Sequence, residues 1–300
     1  MARKLASTSL TFVLETCKRL GMEGYVVTVS GKKRSVVTPT KCSPTKKANF
    51  MQISPLLMKI TTPSNRPFRV SVEGNIGAGK STFIKYFSKF PGIETYQEPI
   101  EWWRNCNGHN LLELLYSDTK KWYFTFQSYV QLTRIQTQLS KPKDSLTRTQ
   151  MFERSVQNNR YCFLEQAYQN GIIHPADYAI SDKWYKQVMA TFDLTLDLIV
   201  YLRSSPEIVF ERMRKRGRPE ETAVPLQYLK ELHEAHEKWL MSDDVTINNV
   251  PVLILDADST LEEIHEMYHK NEDKILGYDI KGRPVEKKEK DKVRRVLKLD

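Results

Sequence analysis

The chain has 300 residues, 40% of them hydrophobic, with 46 Lys and Arg against 36 Asp and Glu and a formal charge of +10. Its longest apolar run, Leu198 to Leu202, holds five residues, which excludes a membrane-spanning helix of about 20. Four cysteines (Cys17, Cys42, Cys106 and Cys162) make no C-x-x-C pair, which argues against a zinc site or a disulfide framework and suits a reducing compartment.

In chain order the first segment, residues 1–66, is rich in Ser, Thr, Lys and Pro and is expected to be largely disordered. It carries +10, and residues 281–300 carry +5, which leaves −5 for residues 67–280 out of the total of +10. A nucleic-acid partner is therefore expected only through the tails. Arg3, Lys4, Lys18 and Arg19, with one acid in the first twenty residues, have mitochondrial-presequence composition. A solvated basic extension in the cytoplasm is the alternative. Basic clusters beside Thr38-Pro39 and Ser43-Pro44 leave a nuclear signal as a third. The organisation expected is an extension over 1–66, one domain over 67–277 and a basic tail over 278–300.

Within the domain, strands are expected at Phe68–Glu73, Ile93–Tyr96, Gln150–Glu153, Asp197–Leu202 and Val252–Leu255. Helical spacing of Phe83, Ile84, Phe87 and Phe90 follows the first strand, with Pro91-Gly92 as its stop. Trp122 to Leu139 is long and amphipathic. Ser205-Pro206-Glu207 starts a helix, Pro225 starts Leu226 to Leu240, and Ser259-x-x-Glu262 reads as a capping box, with Gly277 closing the last helix. Apolar strands alternating with helices imply an α/β fold, a parallel sheet covered on both faces.

Gly74-Asn75-Ile76-Gly77-Ala78-Gly79-Lys80-Ser81 matches G-x-x-x-x-G-K-[ST] between a strand and a helix. Glycines let the backbone turn its N–H groups inward on phosphate oxygens, and the helix N-terminus adds positive potential. Lys80 then reaches the outer phosphates, the Ser81 hydroxyl serves a Mg²⁺ ion, and Thr82 follows in the first turn. The motif specifies a nucleoside triphosphate without specifying the reaction. The chain lacks the N-K-x-D of a GTPase, and the Asp197–Leu202 strand ends on Arg203 rather than an acid. Glu153 ends the third strand instead.

Glu98-Pro99, Trp103-Arg104-Asn105, Asn110 to Tyr116, Phe126-Gln127-Ser128-Tyr129-Val130, Glu153-Arg154-Ser155 and Arg216-Gly217-Arg218-Pro219-Glu220-Glu221 appear in that order. Together with the phosphate loop they resemble the deoxyribonucleoside kinases, with most likeness to the insect multisubstrate and mitochondrial thymidine branches. The resemblance runs from about 67 to 275 and covers neither tail. It implies a P-loop kinase fold with a five-stranded parallel sheet, an Arg-rich lid, ATP with Mg²⁺, a homodimer, and phosphorylation of the 5′-hydroxyl of deoxyribonucleosides in nucleotide salvage.

The chemistry accounts for the residue types. A 5′-hydroxyl is a weak nucleophile, so a carboxylate that takes its proton helps; Glu98 is the first candidate and Glu153 the second, with Mg²⁺ as Glu153's other role. Arg154 can bridge the 5′-oxygen and the developing phosphoryl charge. Arg216 and Arg218, then Arg212 and Arg214, resemble lid residues that close on phosphate. Asp258, Ser259, Thr260 and Leu261 match the loop whose backbone meets the donor adenine. Glu221 and Tyr116 look like the pair that holds the 3′-hydroxyl. Gln127 offers a paired donor and acceptor to a base edge, between the aromatic walls Trp103, Phe126 and Phe163.

Arg134 and Asn159 depart from the thymidine-type pattern, which has Met and Ala there; the deoxycytidine and deoxyguanosine branch has Arg and Asp. The expectation is that Arg134 donates to the Asn159 carbonyl and that the acceptor range is broad. Two other functions remain open: a thymidylate-type monophosphate kinase, and a nucleotide-switched P-loop module that binds nucleic acid through its tails. Because residues 1–66 hold no motif, a chain beginning at Thr61 is expected to keep kcat/KM within tenfold, about 1.4 kcal/mol, of the full chain. A larger fall shows that the extension completes the site.

Overall fold

The computed structural model describes residues 66–243 and 249–278. The readings of the segment before Arg66 and of the tail after Tyr278 lie outside the described residues. Five strands pair in parallel in the order β2-β3-β1-β4-β5: β1 Phe68–Glu73, β2 Ile93–Tyr96, β3 Thr149–Glu153, β4 Leu198–Arg203 and β5 Val252–Asp256. From Val70 to Glu73 each face of β1 is fully buried, Val70 and Val72 on one and Ser71 and Glu73 on the other, as a sheet covered on both sides requires. The chain leaves β1 toward β2 and β3 and later adds β4 and β5 on the opposite side. That reversal opens a crevice at the carboxyl ends of β1 and β3, the place where such sheets hold ligands.

The helix Lys80–Phe87 packs Phe83, Ile84 and Phe87 under β1, and Tyr268 meets the Phe83 ring edge-on at 4.7 Å. A second cluster under the helix Thr119–Gln138 joins Trp103, Leu112, Leu115, Tyr123, Phe126 and Val130.

Several boundaries move. The fourth strand begins at Leu198, because the Asp197 carboxylate accepts from the Arg66 guanidinium at 2.7 and 3.2 Å and from the Arg69 amide at 3.0 Å. Arg66, counted with the extension in the sequence reading, is thus bonded to the domain. The long helix starts at Thr119, capped by Asp118, whose side chain accepts from the Lys121 amide at 3.1 Å. The capping box expected at Ser259 and Glu262 is one residue later: Thr260 caps, and Glu263 returns the bond to the Thr260 amide at 2.8 Å. With that start, Ile264 and Tyr268 share the buried face at a spacing of four.

One irregular element was not expected. Residues 159–164 form a π-helix between short helices at Val156–Asn158 and Glu165–Gln169. A π-turn leaves a carbonyl without its usual partner, and the Tyr123 hydroxyl donates to the Phe163 carbonyl at 2.7 Å. The π-helix aims Asn159 and Phe163 at the crevice.

Candidate active site

The phosphate loop adopts the geometry its glycines permit. Gly74, Gly77 and Gly79 all have positive φ. A Cβ on Gly77 would lie 2.6 Å from the Val209 carbonyl oxygen, so the loop also needs glycine to pass the helix Pro206–Arg216. Asn75 does not face outward. Its amide donates to the Leu229 carbonyl at 2.8 Å and its side-chain oxygen accepts from the Ile76 amide, which pins the loop to the helix Leu226–Leu240. Ala78 is buried beneath the turn, and Thr82 is exposed at the helix start.

Lys80 donates to the Gly74 and Asn75 carbonyls at 3.2 and 2.7 Å. Its burial, with Arg154 nearby, holds its pKa down to about 7 in spite of Glu153, Glu98 and Glu73. An anion in the loop would favour the charged form of Lys80 that burial disfavours. The Ser81 hydroxyl donates to Glu153 at 2.9 Å. A hydroxyl beside a carboxylate is the hard-oxygen donor set suited to Mg²⁺.

Around the crevice, Glu98 Oε1 accepts from Arg134 Nη2 at 2.7 Å and lies 3.3 Å from Arg154 Nε. Its Oε2 has no protein partner among the described residues. Burial pushes the Glu98 carboxyl up, but Arg154, Arg134 and Lys80 outweigh that and hold it below its ordinary value. Glu153 goes the other way: burial and then the Glu98 charge raise it, against Lys80, Ser81 and Arg154. Two neighbouring carboxylates are thereby driven apart in protonation, the pattern from which acid and base roles are assigned.

The expected Arg134–Asn159 bond is absent. Arg134 is buried and spends its charge on Glu98, with longer contacts of 3.5 Å to the Ser155 carbonyl and 3.4 Å to Asn158. A buried guanidinium needs an anion more than it needs an amide oxygen, and Glu98 is the anion within reach. Asn159 instead donates to Gln127 Oε1 at 2.6 Å. Phe163 lies under both guanidinium groups, with its ring centre 4.9 Å from Arg154 and 5.7 Å from Arg134. Trp103 meets Phe126 edge-on at 5.7 Å and donates to Thr133 at 3.1 Å.

Two residues that the motifs did not single out support this cluster. Glu73, fully buried at the end of β1, accepts from Ser71 and, at 2.6 Å, from Ser155. Burial raises its pKa, against the bonds from Ser155 and Ser71. Ser155 in turn accepts from the Asn158 amide at 3.1 Å and caps the short helix after Arg154. Arg154 itself has φ 66, a strained value for a residue with a side chain. The Glu73–Ser155 bond, with the Arg154 amide donating to the Val72 carbonyl at 3.0 Å, holds that turn. The signal was available: an acid directly before the loop on a strand with both faces covered needs a partner.

The lid residues divide. Glu221, buried, accepts from Arg216 at 2.6 Å and Arg218 at 3.2 Å, and the Glu221 charge adds to burial in raising the Tyr116 phenol. Arg212 donates to the Ala257 carbonyl at 2.6 Å, which brings the helix Pro206–Arg216 to the 258–261 loop. Arg214 lies on Phe210, 4.9 Å from its ring centre, and lines a cavity with Arg218 and Glu221. The Asp258 carboxylate is occupied by Ser204 and by the Ser205 amide at 3.0 Å, Ser259 is half-buried, and Thr260 and Leu261 are exposed at the helix start.

Residues 70–276 match the family model described as Deoxynucleoside kinase. "Thymidine kinase 2, mitochondrial" from Homo sapiens is 40% identical over 207 residues, 69% of this chain and 77% of that protein. "Deoxycytidine kinase" from Mus musculus is 36% identical over 225 residues, 66% of this chain and 86% of that one.

A lysine whose folded pKa is below its unfolded value costs stability most below the folded value, and the cost fades as pH rises toward the unfolded one. The melting temperature of Lys80→Met minus that of wild type should therefore become more positive as pH falls from 10 to 7. A difference that does not change with pH contradicts the buried-cation assignment.

Proposed function

The chain belongs to the deoxynucleoside kinase family, a phosphotransferase of deoxynucleoside salvage, and from that premise we propose how its residues divide the work. ATP is the donor. The phosphate loop and Lys80 hold its outer phosphates, and Ser81 and Glu153 would hold Mg²⁺, which would neutralise charge on the phosphates. The acceptor's 5′-oxygen forms the new bond to the γ-phosphorus while the bond to the bridging oxygen of ADP breaks. Glu98 accepts the hydroxyl proton on Oε2, its oxygen without a protein partner. Arg154, held by its strained turn, stabilises the charge that grows on the transferring group.

The observation that carries this reading is the Glu98 carboxylate held between Arg134 and Arg154 at the mouth of the phosphate loop. A monophosphate kinase needs cations free to grip the acceptor phosphate, whereas Arg134 is committed to Glu98 and Arg154 serves the transferring group. An uncharged sugar and base fit better, with Glu221 and Tyr116 at the 3′-hydroxyl and Gln127 at the base. The aromatic walls Trp103, Phe126 and Phe163 exclude water around it.

A broad acceptor range is part of the proposal, on a different basis from an Arg134 contact with the base. The Gln127 and Asn159 side chains are paired amides. Each offers a donor and an acceptor, so both can turn over together and keep their mutual bond. Thymine and cytosine present opposite donor and acceptor orders, and the pair can match either. An Asp at 159 would accept only and lock Gln127 in one sense. Two further proposals are a mitochondrial address, supported by the presequence-like composition of the first twenty residues and the mitochondrial relative, and a homodimer. The exposed Leu132, Ile180 and Trp184 on the helices Thr119–Gln138 and Pro175–Thr191 offer apolar surface for the second copy.

The test is phosphate transfer from γ-labelled ATP to thymidine, deoxycytidine, deoxyadenosine and deoxyguanosine by wild type, Glu98→Gln and Glu153→Gln. Wild type should label both pyrimidine nucleosides at least. Glu98→Gln should lower kcat by about 10²–10⁴, the usual worth of a positioned base. If Glu98→Gln stays near wild type while Glu153→Gln is inactive, the base is Glu153.

A further inference from the structure

The turn Pro219–Glu221 carries two adjacent carboxylates that pair with different arginines. Glu220 accepts a two-pronged bond from Arg104, Nε at 2.7 Å and Nη2 at 3.0 Å. Arg104 ends the helix Ile100–Arg104, which also carries the acceptor-side wall Trp103. Glu221 accepts from Arg216 and Arg218. Those arginines flank Gly217, whose φ of 68 ends the helix and gives the lid its hinge.

We propose that Glu221 is a latch that couples acceptor recognition to the phosphate clamp: it holds Arg216 and Arg218 until an acceptor hydroxyl donates to it and releases them to the transferring phosphate. This rests on the kinase reading above. The coupling follows from charge balance. Glu221 is 8% exposed, so water has little access to it. If both guanidinium groups left for the phosphates, a buried carboxylate would remain with no strong donor, a heavily penalised state. Phosphate alone therefore does not free the arginines, although it binds guanidinium well. A sugar hydroxyl, with the Tyr116 phenol beside it, supplies the missing donor. Arg104–Glu220 keeps the turn in place, so Glu221 does not follow the arginines outward.

The latch has a second consequence. When no nucleoside is bound, the arginines are withheld, and water is a poor acceptor. Futile hydrolysis is attack of a water oxygen on the γ-phosphorus with loss of ADP, giving ADP, phosphate and one proton. It is suppressed while Glu221 is unsatisfied by a substrate.

The experiment measures kcat and KM for a deoxynucleoside and for the same nucleoside without its 3′-hydroxyl, and ATP hydrolysis with no nucleoside, in wild type and Glu221→Ala. In wild type, loss of the hydroxyl should lower kcat by about tenfold or more, since one hydrogen bond to a charged group is worth that much. In Glu221→Ala the two acceptors should agree in kcat within about threefold, and nucleoside-free hydrolysis should rise about tenfold. Glu221→Gln, which keeps the shape with a weaker hold on arginine, should raise hydrolysis by less, and it serves if the Ala variant does not fold. Hydrolysis at the wild-type rate in either folded variant overturns the latch and leaves Glu221 as a sugar contact only. A wild-type loss confined to KM also overturns it. Absence of any transfer by wild type to the complete deoxynucleoside overturns the kinase reading, and the latch with it.

Discussion

Three acids and three cations meet in the low-dielectric crevice at the carboxyl ends of β1 and β3. Glu73, Glu98 and Glu153 stand against Lys80, Arg134 and Arg154, and none has free access to water. Each charge is tolerable there only because the others are present, since an unpaired buried ion costs several kcal/mol. Around that balance lie the strained backbone of Arg154, the cap at Ser155 and the π-helix whose Phe163 ring sits under the two guanidinium groups, and it accounts for the choice of Glu98 over Asn159 as partner for Arg134.

The same balance prepares the site for its substrates. Lys80 is held near the edge of losing its proton, so a phosphate beside it is favoured because it stabilises the charge that burial and Arg154 resist. Glu98 is kept ionised by its arginines and so is ready to accept a proton, although the same cations make it a weaker base than a free carboxylate. Glu153 is pushed the other way and suits a metal ion, whose charge would reverse its burial penalty. At the rim, Glu221 repeats the device on a smaller scale with Arg216 and Arg218.

Much of this was legible in the sequence where a single local rule decides. Strand positions followed from apolar runs, and the phosphate loop from glycine spacing ahead of Lys80. Boundaries slipped where a side chain outside the pattern intervened, as when Asp197 turned to Arg66 or Thr260 took the cap from Ser259. The partner of Arg134 was misread because pairing depends on which anion the fold brings within reach, and residues 98 and 134 are distant in the chain. Glu73 and Ser155 escaped notice for a related reason: neither belongs to a reacting motif, and only the covered sheet makes their bond obligatory. The π-helix left no mark in periodicity, because one added residue in a turn looks the same as a shifted helix face.

The central claim is that Arg134 acts on Glu98 rather than on the base. The pH profile of kcat/KM for one deoxynucleoside, compared between wild type and Arg134→Met, tests it directly. Without the guanidinium, Arg154 and Lys80 alone oppose the burial of Glu98, and its carboxyl titrates higher than in wild type. The acid limb of the variant should therefore lie at higher pH than that of wild type, with the rates converging toward the alkaline side. Profiles of identical shape that differ only by a constant factor, or by which nucleoside is preferred, would contradict the account.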